Sequence, residues 1–321
     1  MTEENKSKLT AIGITVIICG ALTYWGILVI GVYGFALFLL TPLLIGMCPV
    51  IIYGRKRQVT TAQARNLGLQ TLALFVVSLV VFAFEGLICI AMLSPIALVL
   101  TWAGTLVGHS IVMERPNKGM VTIIILTLSI PITAFMEKTE KDDVLPLIEV
   151  TTSIEINAAP EDVWNNVIQF PTLNDPAEFI FKTGIAYPVS AEIKGRGVGA
   201  MRYCNFSTGR FVEPITSWDE PKLLKFDVLE NPAPMKEISF YDIDAPHLHD
   251  YFVSKRGQFK LSKLGNGKTL LEGTTWYYHD IKPGFYWELW SNYIIHKIHF
   301  RVLNHIKETT ERASSENRSS M

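Results

Sequence analysis

Three apolar runs, at residues 9–53, 67–113 and 119–136, fill the first part of the chain. A helix rises 1.5 Å per residue, so crossing a ~30 Å hydrocarbon layer takes ~20 apolar residues. The first two runs are long enough for two spans each, and the third for one short span. Gly31-Val32-Tyr33-Gly34 offers a turn inside the first run, and Glu85-Gly86 inside the second. The pattern predicts five membrane-spanning helices, at 10–31, 35–53, 67–84, 87–112 and 119–136, in one transmembrane bundle over residues 1–136. A carboxylate is costly at mid-bilayer, so Glu85 belongs at an interface; its functional alternative is a buried proton or ion site. Leu40-Thr41-Pro42 recurs as Leu93-Ser94-Pro95, a short repeat that fits two duplicated hairpins plus a fifth helix. Both prolines then fall within spans, where Ser/Thr and neighbouring helices tolerate a kink.

Charge divides the chain at the same boundary. Residues 1–136 hold 8 Lys/Arg and 4 Glu of the chain's 29 basic and 30 acidic residues, leaving 21 and 26 beyond. A mildly acidic C-terminal part argues against nucleic acid as a partner. Lys6 and Lys8, the 54–66 loop with Arg55, Lys56, Arg57 and Arg65, and the 114–118 loop with Arg115 and Lys118 all lie on one side of a five-span bundle. By the positive-inside rule that side is cytoplasmic. The chain is then expected in the plasma (cytoplasmic) membrane, with its soluble part extracytoplasmic; loss of the short fifth span, which contains Pro131, would reverse this. The N-terminus lacks the small-residue cleavage site of a signal peptide. Cys19, Cys48, Cys89 and Cys204 have no disulfide or metal spacing and read as small buried hydrophobes.

Residues 137–146 are a charged, solvated linker by composition, and 147–311 are long enough for one domain with a core. The alternation in 149–156 predicts a strand. Pro160 suits a first helical position, with Glu161 and Asp162 at the positive helix end and Val163, Trp164, Val167 and Ile168 as the apolar stripe. Strands are predicted near 183–194, 198–206, 209–218, 223–230, 251–262 and 269–279, separated by breaks such as Gly195-Arg196-Gly197 and the hairpin signal Gly265-Asn266-Gly267. A helix follows from 283 to about 311, and 312–321 is a polar tail expected to fray. A strand, a helix, a run of antiparallel strands and a long helix make an α+β layer architecture, a sheet curled around one helix.

Ile154-Glu155-Ile156-Asn157-Ala158-Ala159-Pro160-Glu161-Asp162-Val163-Trp164 resembles the opening signature of the START-like, or SRPBCC, superfamily. Gly197-Val198-Gly199-Ala200-Met201-Arg202 and the stretch from Gly209 to Pro221, around Phe211-Val212-Glu213-Pro214-Ile215, resemble its central strands, nearest to the polyketide cyclase/dehydrase-like branch. The resemblance covers about residues 147–310 and leaves the transmembrane bundle unrecognised. It implies a helix-grip fold with a mostly apolar pocket for lipids, sterols, polyketides or other hydrophobic molecules. It implies no universal catalytic residue, so the fold alone selects no function.

Alternation puts Ala200, Arg202, Cys204 and Phe206 on one strand face, and Phe211, Glu213 and Ile215 on another. Arg202 and Glu213 thus sit among apolar neighbours. If the strands are adjacent they can pair, as a polar anchor or an acid/base couple; the plainer alternative is that both face solvent. Arg202, Glu213, Phe211, Ile215 and Cys204 are therefore the pocket candidates. Tyr278, Phe285, Tyr286, Trp287 and Trp290 are the candidates for a cavity entrance or membrane interface, against the alternative of plain core packing. His247-x-His249 before Asp250, and His296 with His299, read as surface or capping histidines rather than zinc ligands. No nucleophile elbow, P-loop, dinucleotide fingerprint or HExxH occurs. The sequence leads to a membrane-anchored module that binds or transfers a hydrophobic small molecule or lipid, with the bilayer and that molecule as partners and no cofactor or metal. Alternatives are a cyclase or dehydratase on a hydrophobic substrate, and a ligand sensor signalling through the bundle.

Overall fold

A computed structural model describes residues 2–31, 33–55, 57–114, 118–139, 145–238 and 248–319. Val32, Lys56, Arg115, residues 140–144, His247 and the last two tail residues, all of which entered the sequence reading, lie outside the described residues. The chain forms two compact units. The first comprises Met1–Asp143, Glu237–His247 and Ile281–Tyr286, and the second comprises Val144–Lys236, Leu248–Asp280 and Trp287–Met321.

The first unit contains five helices long and apolar enough to cross a membrane. They are α1 (Glu3–Tyr24, continued by a π-helical turn Trp25–Ile30), α2 (Thr41–Gly54, preceded by a π-helical turn Ala36–Leu40), α3 (Thr61–Val81), α4 (Leu87–Glu114) and α5 (Gly119–Thr139). Gly31 takes a left-handed conformation, φ +71°, where the first apolar run turns back. α3 starts earlier than the apolar run suggests. Thr60 and Gln63 form a reciprocal capping box there, which satisfies two orphan N–H groups before the apolar residues begin.

α2 sits at the centre, with Leu44, Ile45, Met47, Cys48, Val50 and Ile51 buried. It meets α4 backbone to backbone. A Cβ on Gly46 would stand 2.0 Å from the Thr101 carbonyl oxygen, and one on Gly104 would stand 2.3 Å from that of Leu43. Small residues are what permit such an approach between apolar helices. Several interior threonines find backbone partners: Thr15 and Thr71 donate to the carbonyls of Ala11 and Leu67, and Thr101 reaches across to the Pro42 carbonyl at 3.2 Å. The outward faces are apolar. Ile17, Val99, Ile125 and Phe135 are each more than 60% exposed.

One expectation fails here. Glu137 does not begin a solvated linker. It lies in the last turn of α5, buried, and its carboxylate accepts the Phe35 N–H at 2.7 Å. That N–H opens the helical segment leading into α2 and has no partner of its own along the chain, so a carboxylate beside it replaces water as the cap. Gly34 leaves the room: a Cβ there would stand 2.0 Å from Glu137 Oε2.

The second unit is built on seven antiparallel strands in the order β1-β7-β6-β5-β4-β3-β2. They are β1 (Ile148–Ile156), β2 (Pro188–Lys194), β3 (Met201–Phe206), β4 (Gly209–Asp219), β5 (Leu223–Asp227), β6 (Phe252–Lys263) and β7 (Thr269–His279). Register shifts at Pro188/Ser190, Ile215/Ser217 and Ser254/Arg256 bend β2, β4 and β6. The sheet curves into a half-barrel. Its concave face carries Ile156, Ala191, Cys204, Ile215, Leu224, Phe226, Leu261 and Leu271. These pack with α6 (Pro160–Ile168) and with Val302, Leu303 and Ile306 of the long helix α8 (Gly284–Ser319). A curved antiparallel sheet gripping one long helix is the architecture expected of a helix-grip fold.

Four boundaries differ from expectation, the first being that β3 starts at Met201 and not at 198. Residues 179–182 form a short helix, α7, and β2 starts only at Pro188, because Gly184 leaves the extended region at φ +96°. β5 ends at Asp227, after which Leu229 N–H turns to the Val212 carbonyl. α8 runs on through residue 319, where a frayed tail was expected. No Gly or Pro interrupts it, and Glu311 ties it to the entry of α6 by accepting the Asn157 N–H at 2.8 Å.

The α2–α4 contact makes a first prediction. Gly46→Val and Gly104→Val should each lower the thermal midpoint of the detergent-solubilised chain, at a cost of about 1–3 kcal/mol. Gly13→Ala should leave it within ~1 kcal/mol of wild type, because open space surrounds that position.

Candidate functional site

Strand register brings Arg202 and Glu213 directly opposite each other on β3 and β4, and their side chains form an ion pair. They are 2% and 5% exposed, so the pair is closed to water. The guanidinium carbon lies 5.2 Å from the ring centre of Phe226, 5.6 Å from Phe259 and 6.0 Å from Phe170. Three aromatic faces around a planar cation add attraction to the ion pair. Phe226 reaches this position because β6 offers Gly257 beneath it: a Cβ there would stand 2.6 Å from the ring. Arg202 Nε has no hydrogen-bond acceptor among the described residues.

Burial pushes the Glu213 carboxyl above its ordinary range, opposed by the Arg202 charge. For Arg202 burial works against the charge as well, but Glu213 outweighs it and the guanidinium stays protonated. Cys204, next along β3 on the same face, has its thiol pushed up to about 12, chiefly by burial. It is therefore an inert thiol at neutral pH. Phe211 and Ile215 share the concave face with this group. Phe211 stacks edge-on against Phe206 at 4.8 Å, and both rings stay half-buried.

A second polar group lies on the same face, and the sequence reading missed it. Thr152 of β1 contacts Nδ1 of His296 at 2.7 Å and Nδ1 of His299 at 3.0 Å, while Thr275 of β7 contacts Nε2 of His299 at 2.8 Å. These are neither surface nor capping histidines. The i, i+3 spacing on α8 turns both rings toward the sheet. Burial, and then the neighbouring His296, holds His299 down at about 4, so it is neutral at physiological pH. The available signal was a pair of helical histidines on the stripe that also carries Ile295 and Val302, matched by in-facing threonines on β1 and β7.

The proposed entrance residues scatter. Strand alternation turns Tyr277 inward and fully buries it, while Tyr278 lies on the convex face against Lys255. Tyr278 therefore does not line the mouth of the concave side. Trp287 is buried, Trp290 is half-buried and Phe285 is 71% exposed. Tyr286 donates to the Met92 carbonyl within the first unit.

The first unit carries its own polar cluster. Ligating atoms of Glu85, Cys89 and Glu237 lie within 4.8 Å of one another, and Cys89 Sγ donates to Glu237 Oε1 at 2.8 Å. Glu237 lies 148 positions from Cys89, so no local pattern could have announced it.

No family model matches the chain, and no curated protein matches it. Solved structures do match over about half its length. Norcoclaurine synthase from Thalictrum flavum is 15% identical, covering 53% of this chain and 96% of its own, with a TM-score of 0.34. The Zhui aromatase/cyclase from Streptomyces sp. R1128 is 12% identical, covering 52% and 95%, also at 0.34. The Aha1 dimer from Colwellia psychrerythraea is 16% identical, covering 51% and 96%, at 0.30.

Two outcomes follow from the buried groups. Arg202→Met alone strands the Glu213 charge and should cost about 3–5 kcal/mol, whereas Arg202→Met with Glu213→Leu should come within ~1–2 kcal/mol of wild type. Thermal melts of the full chain read both. His299 binds its proton less readily when folded than the ordinary value of 6.5. Its contribution is present above that value and is lost as pH falls toward 4, by at most about 3 kcal/mol. Comparing wild type with His299→Phe between pH 7 and 4 should show a flatter pH dependence of the melting midpoint in the variant.

Proposed function

We propose that this chain is a membrane-anchored helix-grip protein that holds or hands over a hydrophobic small molecule or lipid against the concave face of its sheet. The observation that carries the reading is the makeup of that face. Phe206, Phe211 and Phe259 point inward yet remain half-buried, and a few polar groups stand among them: the Arg202–Glu213 pair and the Thr152–His299 group. An apolar concave surface with a small number of fixed polar groups is what a small-molecule site needs.

Membrane anchoring is supported by the first unit's inverted pattern, with exposed Ile, Val and Phe outside and buried Thr inside. The basic residues Lys6, Lys8, Arg55, Lys56, Arg57, Arg65, Arg115 and Lys118 support a cytoplasmic position for the N-terminal tail and for the 54–66 and 114–118 stretches. With an odd number of spans, residues after Thr139 are then extracytoplasmic. Two later segments agree with this. Ile238 accepts the Leu87 N–H, and Lys282 donates to the Tyr33 carbonyl, both at the end of the first unit opposite the basic loops. A site tied to the bilayer works at high effective concentration of any ligand dissolved there.

The test is recovery of the ligand. The full chain, reconstituted in nanodiscs of one synthetic phosphatidylcholine, should release on denaturation a second apolar compound in stoichiometric amount by mass spectrometry. Recovery of the disc lipid alone would overturn the reading.

A further inference from the structure

We infer that Thr152, Thr275, His296 and His299 form the headgroup site of the concave face, and that the molecule they take is uncharged and carries a hydroxyl or carbonyl. The inference rests on the ligand-binding reading above and narrows its substrate class.

Charge is the first argument. Among the described residues, the buried charged side chains of the second unit are Arg202 and Glu213, and they neutralise each other. An anionic headgroup brought between these groups would meet no fully buried cation free to pair with it among the described residues. It would have to split a buried pair or stay unpaired, and both cost several kcal/mol. Arg202 is further held by three aromatic rings. His299 does not change the balance. The groups facing His299 are Thr152 from β1, Thr275 from β7 and His296 on its own helix, and no carboxylate is among them. His299 is accordingly neutral at physiological pH.

Hydrogen-bond counting is the second argument. A neutral imidazole has one donor and one acceptor, and a hydroxyl has one proton. Thr152 is buried and contacts only the two Nδ1 atoms among the described residues; its proton needs an acceptor, so it donates to one ring and accepts from the other. Two directions satisfy every contact. In one, Thr275 donates to His299 Nε2, His299 donates to Thr152, and Thr152 donates to His296. His296 then carries its remaining proton on Nε2, and Thr275 keeps a free lone pair. In the other, every bond is reversed: His296 Nε2 becomes an acceptor, and the Thr275 proton is free to donate. His296 Nε2 has no hydrogen-bond partner among the described residues. Either direction leaves one donor and one acceptor open at the two ends of the chain of bonds. A ligand hydroxyl matches both, and a carbonyl matches the donor. Thr275, His296 and His299 each keep some exposed surface, as groups that contact a ligand require.

The probes are 1-hexadecanol, permanently anionic hexadecyl sulfate and permanently cationic hexadecyltrimethylammonium, bound to the full chain in nanodiscs and to empty discs as reference. Hexadecanol should bind at least about tenfold more tightly than either ion, because burying an unpaired charge is the larger cost. Thr275→Val and, separately, His296→Leu should each weaken hexadecanol by about fivefold or more, the loss of one hydrogen bond, in chains that still melt cooperatively and keep their weaker binding of the two ions unchanged. Equal or tighter binding of an ion would overturn the neutral-headgroup inference and leave ligand binding standing. Hexadecanol preference that survives both substitutions would overturn the assignment to these four residues. Binding of no probe would overturn the ligand-binding reading itself.

Discussion

A sheet that bends must bury its concave face, and everything in the second unit answers to how that face is covered. Bulges in three strands set the bend, and α8 supplies the cover through Ile295, Val302, Leu303 and Ile306. α8 approaches β7 at Gly273, where a Cβ would just touch the Leu303 side chain at 3.6 Å. Toward β3 and β4 the same face carries larger rings, and Phe206 and Phe211 retain exposure there. The face is thus approached by α8 along β7 and loosely filled toward β3 and β4.

The two polar groups on this face follow different physics. Arg202 and Glu213 are a closed pair: each charge is the other's condition for being buried, and the register of β3 against β4 fixes them opposite one another. The Thr–His chain is open. Its bonds can run in either direction, and its two ends have unused capacity. A closed pair adds rigidity and selects against net charge nearby. An open chain gives a polar ligand something to bind without either partner paying the cost of a buried ion. The first group sets the electrostatics of the face, and the second can read a headgroup.

Much of this was legible. Strand periodicity and turn chemistry located the antiparallel run, because alternation and Gly-rich breaks are local signals. The Arg202–Glu213 juxtaposition was legible as well, since two strands joined by Ser207-Thr208 can pair in few registers. What failed depended on contacts distant in the chain. Glu137 reads as one charge in a polar run, and only Phe35, 102 positions away, makes it a cap. His296 and His299 read as surface residues because nothing in a helical segment names Thr152 or Thr275 as partners. Tyr278 was misplaced for a simpler reason: Trp276, Tyr277 and Tyr278 are all aromatic, so hydrophobicity alone does not tell which of them alternation turns inward.

On the membrane reading proposed above, the first unit obeys the same accounting with the solvent inverted. Its outward apolar residues would need no cover in hydrocarbon, so its stability would come from close packing and from polar groups paired inside. That is where its glycines and threonines stand. Gly46 and Gly104 let α2 and α4 touch along their backbones, and Thr101 donates from α4 to the Pro42 carbonyl of α2. Glu137 extends the rule to a charge. A carboxylate in the last turn of α5 is expensive in an apolar surround unless a donor meets it, and the donor it finds is the N–H that a helix start leaves unpaired. The residue that looked most like a solvated linker is therefore placed by the same requirement that fixes Arg202 against Glu213: a buried polar group persists only where the fold delivers its complement.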